Sequence, residues 1–370
     1  MDSPLWRWLE QGLGVLVTGA VLLDVFMVVL YSRAGTGLLA PRLAQMVWRT
    51  FRALSRRFSD HRGGILSFCG PAILSLLILL WGVGLTLGAG LIIHPLLGTS
   101  VSASGDETPR DFVTALYAGG SSVAIIGASD FTPQTTGTRL LYGFNSLVGM
   151  SIVSLTLSYL LQVYTALQRR NALGLSIHLS AGPNGDAAHM VATWGPRGEF
   201  MAGYADVSAF ATLMTDVSES HHFYPVLHFF RFREPYYSVS TFALTLLDAT
   251  SLVKSALSDE GPGWFKESAA IEHLEGASLW LLRTLENTYH QDGTPDDQRE
   301  PSEKDRARWG RRYEAALQRL QGAGILTAED EAAGLERYIA LRSEWDGDIA
   351  RLAPDMELDM DEVDAVGSRL

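Results

Sequence analysis

D-F-V-T-A-L-Y-A-G-G-S-S-V-A-I-I-G-A-S-D-F-T-P, Asp111 to Pro133, is the stretch on which the fold turns. Phe112 to Ala124 is apolar and rich in small residues. At about 13 residues, or roughly 20 Å of helix, it falls short of a ~30 Å hydrocarbon core. Its length is that of a half-helix that dips into a membrane and stops. Gly127, Ala128 and Ser129 are small enough for backbones to crowd an axis, and after Asp130 the pair Thr132-Pro133 turns the chain away. Non-helical backbone persists at membrane depth only where it lines a watery cavity or is buried in protein.

Working outward, the flanks are membrane spans. Ile65 to Ile93 and Leu140 to Val163 carry no charge, and Leu13 to Tyr31 carries only Asp24. Each exceeds the roughly 18 residues a spanning helix needs. The first run has no basic leader region before it, which speaks for a retained span over a cleaved signal. Pro71 predicts a kink in the second span, and Gly82, Gly84, Gly88 and Gly90 offer small faces for close helix packing.

Charge sorts the chain into two halves. Residues 1–170 hold 12 Arg, no Lys and 8 acids, while the rest carries a net charge of −16. A basic, apolar half followed by an acidic, charge-rich half predicts a membrane domain and an aqueous domain. The acidic balance argues against nucleic acid as a partner. The single cysteine, Cys69, excludes an internal disulfide framework and a cysteine-built zinc site.

Arg33, Arg42, Arg49, Arg52, Arg56, Arg57 and Arg62 crowd the loop between the first two spans, against Asp60 alone. By the positive-inside rule this loop is cytoplasmic, and Arg169–Arg170 after the third span agree. The expectation is a multi-pass cell-membrane protein with its N-terminus outside, Trp6 and Trp8 at the outer interface, and its C-terminal half cytoplasmic. Leu39, Leu43, Met46, Val47, Phe51 and Leu54 recur at helical spacing between the arginines, which predicts a helix along the inner membrane face.

Together, Asp130-Phe131-Thr132-Pro133, then Gly137-Thr138-Arg139-Leu140-Leu141 and a long apolar helix, resemble the tetrameric pore-loop potassium channels of the two-transmembrane type, with their G-D-I-T-P and G-R-L-L. Leu23 to Arg33 resembles the extra N-terminal helix of some bacterial channel-like proteins. The resemblance covers about 150 residues. It implies an all-α membrane fold of three transmembrane helices plus a re-entrant pore helix and filter loop, a homotetramer, and monovalent cations in the pore. Gly149 falls near the family's inner-helix hinge.

The filter departs from the family. Where the family reads T-V-G-Y-G-D, this chain reads Ile125-Ile126-Gly127-Ala128-Ser129-Asp130. Isoleucine removes the inner hydroxyl ligand, alanine removes the bracing tyrosine, and serine adopts reluctantly what the second glycine allows. The leading expectation is a cation channel of weak or altered selectivity, with Asp130 and the outer-mouth acids Asp106, Glu107 and Asp111 gathering cations. One alternative is a potassium-selective channel whose backbone carbonyls suffice. The other is a non-conducting sensor or scaffold, in which Ile125 and Ile126 form a dewetting constriction. The lack of inverted repeats of broken helices argues against a transporter.

Two residues inside the spans stay open. Asp24 is an intramembrane acid, and reads either as functional or as a carboxylate hydrogen-bonded near the arginine-rich segment. Asn145 either lines the pore or bonds a neighbouring helix.

Domain boundaries are expected at 1–64 (first span and basic linker), 65–170 (pore domain), 171–350 (a mainly helical cytoplasmic domain) and 351–370 (an acidic tail). In the third, Ala209–Met214, Phe242–Leu257, Ile271–Leu285, Tyr313–Leu320 and Leu335–Leu341 repeat at three and four. Thr327 to Asp330 marks a helix start. No phosphate-cradling loop or hydrolytic constellation is legible, so no enzyme and no cofactor is expected. His221, His222 and His228 read as packed or titrating histidines before a metal site. The aromatic residues around them read as core. The domain is expected to regulate or assemble the pore, with an unidentified cytoplasmic ligand as a possible partner.

Overall fold

The structure is a computed structural model, which describes residues 4–31, 37–58, 62–105, 107–124, 130–289 and 301–355. Among the described residues it is an all-α membrane protein apart from one small two-stranded antiparallel sheet. Among the described residues, three helical stretches are long and apolar enough to cross a bilayer: Pro4–Leu30, Gly63–Leu96 and Thr136–Ala181. The chain divides into two compact units.

The first unit takes in residues 1–53, 68–164 and 224–229. Helix α1 (Pro4–Val25) runs into a π-helical turn, Phe26–Leu30, in which the Tyr31 N–H donates to the Phe26 carbonyl. Helix α2 (Ala40–Arg57) follows, its last residues belonging to the second unit together with α3 (Arg62–Ser67), and α4 (Cys69–Ile93) returns to the first. The expected kink at Pro71 is instead a break before it. Proline cannot donate to the preceding turn, so the chain resets at Phe68 and Pro71 sits in the first turn of α4.

Helix α1 lies along α4 where small residues let the backbones approach. Gly14 faces the Gly88 carbonyl, and Gly84 faces Val21. Leu77, Trp81 and Leu85 of α4, with Val21 and Val25 of α1, form a buried apolar seam joined by Ile152. At the far end of α4 the Glu10 carboxylate pairs with His94 Nδ1 at 2.6 Å.

Strand β1 (Val101–Ala103), the short helix α5 (Phe112–Val123) and strand β2 (Phe131–Pro133) come next. The strands pair antiparallel, with Ser102 opposite Thr132. Helix α6 (Thr136–Ala181) then runs unbroken for 46 residues. That is about 69 Å, twice what a bilayer core needs, and the switch between units falls on this helix at Tyr164/Thr165.

The second unit takes in residues 54–67, 165–223 and 230–370. Its described helices after α6 are α7 (Ala187–Trp194), α8 (Met201–Phe223), α9 (Val239–Ala256), α10 (Gly263–Lys266), α11 (Ala269–Tyr289), α12 (Glu303–Gly322), α13 (Glu331–Ser343) and α14 (Asp346–Asp355). Helix α9 is buried almost all round, with α7, α11 and α13 against it, so it is the core element. The expected helix start near 327–330 is α13, capped by Asp330, whose carboxylate accepts from the Ala333 N–H.

Candidate functional site

The candidate site is built around α5. Asp111 caps its first turn: one carboxylate oxygen accepts from the Thr114 N–H at 3.0 Å and the other from the Thr114 hydroxyl at 2.6 Å. The hydroxyl, then the N–H, holds this carboxyl below its ordinary range. Asp111 is exposed, so it both starts the helix and keeps its charge at the surface. Glu107 is exposed too, while Asp106 lies outside the described residues.

The C-terminal half of α5 is wedged between two helices. Gly119 lies against the backbone of Gly90 in α4, where an added Cβ would come within 2.5 Å of the Gly90 nitrogen. Asn145 of α6 is buried and donates from Nδ2 to Ser122 Oγ at 2.9 Å, and Ser122 passes the bond on to the Gly119 carbonyl. One turn along α6, Gly149 faces the Val123 carbonyl so closely that no Cβ fits. Asn145 thus bonds the short helix. Gly149 is a close-packing position in α6.

Beyond α5, Ala124 is extended and its N–H donates to the Gly120 carbonyl. Ile125 to Ser129, the core of the expected filter, lie outside the described residues. The chain returns at Asp130, whose side chain is exposed and whose carbonyl accepts from both the N–H and the hydroxyl of Ser104. Phe131 packs edge-on to Tyr117 of α5 at 6.1 Å. Thr135 and Thr138 then cap α6 reciprocally, each side chain accepting from the other's N–H. Thr138 also donates to the Ser100 carbonyl. Ala124 and Asp130, the described residues on either side, are thus each tied by backbone hydrogen bonds. The β1 brace was missed from sequence, although Ser100-Val101-Ser102-Ala103-Ser104 alternates with the period of a strand.

Asp24 has a structural set of partners. It is fully buried, and Oδ1 accepts from the N–H groups of Leu38 at 2.6 Å and Leu39 at 2.7 Å, just ahead of α2. Oδ2 accepts from the Trp81 indole at 2.9 Å. One carboxylate thus ties the entry to α2 to both α1 and α4. It meets the backbone at the start of the arginine-rich segment, where unpaired N–H groups cluster at a helix start.

In the second unit, His221 is buried and neither ring nitrogen is hydrogen-bonded among the described residues. Burial, with the Arg170 guanidinium nearby, lowers its pKa to about 3. His228 is buried as well, and the described residues contain no cluster able to hold a metal. Of the aromatic residues nearby, Phe230 is core, while Phe223 and Phe232 remain exposed.

The sequence missed a buried charge knot. Asp248, in the middle of α9, receives Arg312 through Nε and Nη2 at 2.8 and 2.7 Å, Arg342 at 2.8 Å, and the Tyr338 hydroxyl. Arg342 also reaches Asp346 and stacks on Trp345. A lone acid in an apolar helix was the only local signal.

No family model matches the chain, and no solved structure matches it. The chain is similar to a Bacillus subtilis (strain 168) protein named "Uncharacterized membrane protein YdjJ", at 23% identity over 236 residues. The match covers 64% of this chain and 66% of that protein, just under two thirds of its length. With three helices apolar and long enough to span, the relative's name agrees with the reading earned above: the chain is a membrane protein.

Proposed function

We propose that the first unit is one quarter of a tetrameric, cation-conducting pore of weak or altered selectivity. The observation that carries this reading is the suspension of α5. It is a 12-residue helix, about 18 Å long, too short to cross, yet clamped between two spanning helices by Gly90–Gly119, Asn145–Ser122 and Val123–Gly149. Such a helix ends inside the membrane, and its last carbonyls carry the negative end of its dipole, which favours a cation beside the loop that follows. That loop, Ile125 to Asp130, is the filter in this proposal. Exposed Glu107, Asp111 and Asp130 supply the cation-gathering charge at its outer side.

In the same proposal the basic loop is cytoplasmic, the N-terminus is outside, and the second unit is a cytoplasmic regulator or assembly domain. Weak selectivity follows from Ile125, Ala128 and Ser129, which remove the hydroxyl ligand, the bracing ring and the permissive glycine. The test is the double substitution Ala128→Tyr with Ser129→Gly, assayed by potassium and sodium flux into liposomes. Potassium preference rises about tenfold or more, some 1.4 kcal/mol, if residues 125–130 line the path. An unchanged ratio in a conducting variant removes them from it. A wild-type tetramer that passes no ion favours the scaffold alternative.

A further inference from the structure

We infer that the outward face of α2 docks on anionic phospholipid headgroups, and that the arginines of this face are its ligands. The inference rests on the membrane placement proposed above, and not on conduction or sidedness. At 100° per residue, Arg42, Met46, Arg49, Ala53, Arg56 and Arg57 fall in one arc of about 100°, and all six are exposed. The opposite arc, with Ala44, Val47 and Ser55, is buried, and Trp48 lies against Phe229 at 6.1 Å. The arc around Ala44, Val47 and Ser55 is therefore packed on protein, with Leu43 and Phe51 half-buried and Leu54 exposed at its edge, while the arginine arc is presented outward.

Three things select the occupant. First, α2 carries five arginines and no acid, and a guanidinium fork matches phosphate oxygens bidentately. Second, Met46 is exposed among the arginines, and an apolar side chain among cations reaches between headgroups into the acyl boundary. Third, α2 begins ten residues after Leu30 closes the first span, and the Asp24 carboxylate ties its entry to that span and to Trp81. A helix held so close to a span stays at the membrane surface. Each arginine near an anionic surface then strengthens the contact about fivefold. The rival occupant is the chain's own acidic segment, Asp355 to Asp364, with six acids and no base. That segment belongs to the far end of the sequence, whereas α2 follows directly on the first span.

The experiment uses the full chain in nanodiscs of phosphatidylcholine, with or without phosphatidylglycerol. An environment-sensitive dye is placed at Met46→Cys, with Cys69 buried, and amide exchange is followed over residues 43–57. The expected result is a blue-shifted dye and exchange slowed about tenfold in the anionic discs only, reversed by high salt. Replacing Arg42, Arg49 and Arg57 by Gln abolishes the response, and replacing them by Lys keeps most of it. Arg49→Gln alone gives a partial loss, which guards against misfolding of the triple variant. Equal behaviour in both lipids overturns the inference. So does an equal shift in neutral discs on adding inorganic phosphate, or loss of the response when the acids of 355–364 are neutralised. Discs expose both faces and the readout needs no ion flux, so failure of the channel proposal leaves this result intact.

Discussion

Asp24 shows what a single residue decides. Placed in an apolar helix, it accepts from the N–H groups of Leu38, Leu39 and Ala40 and from the Trp81 indole, so it holds two helices and the entry to a third together. Removing a buried acceptor leaves its donors unsatisfied, at about 1–3 kcal/mol per group. Asp24→Leu therefore loses about 3–5 kcal/mol and speeds amide exchange at Leu38 and Leu39, read by melting in detergent and by exchange mass spectrometry. Asp24→Asn loses less, since the amide oxygen still accepts. His221 sets a pH limit on the second unit. An unfolded histidine binds a proton near pH 6.5, while the folded one is held neutral down to about 3 by burial and by Arg170. The unfolded state thus binds more protons between these values. The contribution is complete above about pH 6.5 and is lost as pH falls, by about 2 kcal/mol at pH 5. His221→Met removes that part of the acid sensitivity, so the gap between its melting temperatures at about pH 7.5 and pH 5 is smaller than in the parent protein.

Among the elements, α5 is the one whose setting carries the functional proposal, and its clamps are testable one at a time. Gly149→Ala forces a Cβ against the Val123 carbonyl and costs about 1–3 kcal/mol of overpacking, seen as faster exchange at residues 119–124. Asn145→Leu leaves Ser122 buried without its donor, with a similar loss. The three spans were legible because hydropathy adds up over twenty residues and needs no partner to be read. The start of α13 was legible because a cap is a local feature. The length of α6 was not, since Arg169 and Arg170 look like a membrane exit. Arg169 pairs with Asp216 and Arg170 is buried, donating to the Phe230 carbonyl, so the helix runs on past both. Nor were the partners of Asp248 legible, because they lie 64 to 94 residues away in sequence. Breaking that knot with Asp248→Ala takes the shared carboxylate from the buried Arg312 and Arg342, of which Arg342 keeps Asp346, and destabilises the second unit by about 3–5 kcal/mol, measurable by denaturant titration.

At the scale of the whole molecule, the basic, apolar half resolves into a unit of spans around a suspended short helix, and the acidic half into a unit packed on α9. The composition separated the two, but it carried no information about what the first unit passes. That rests on six residues, Ile125 to Asp130, and on the claim that four copies bring them around one axis. The most direct measurement is cation flux into liposomes holding the purified protein, with its stoichiometry read by cross-linking in the same membranes. The account predicts a tetramer that passes both potassium and sodium, with flux reduced several-fold by Asp130→Asn as the outer-mouth charge is lost. A tetramer that passes neither ion under any gradient, or a protein that is monomeric in the membrane, contradicts it.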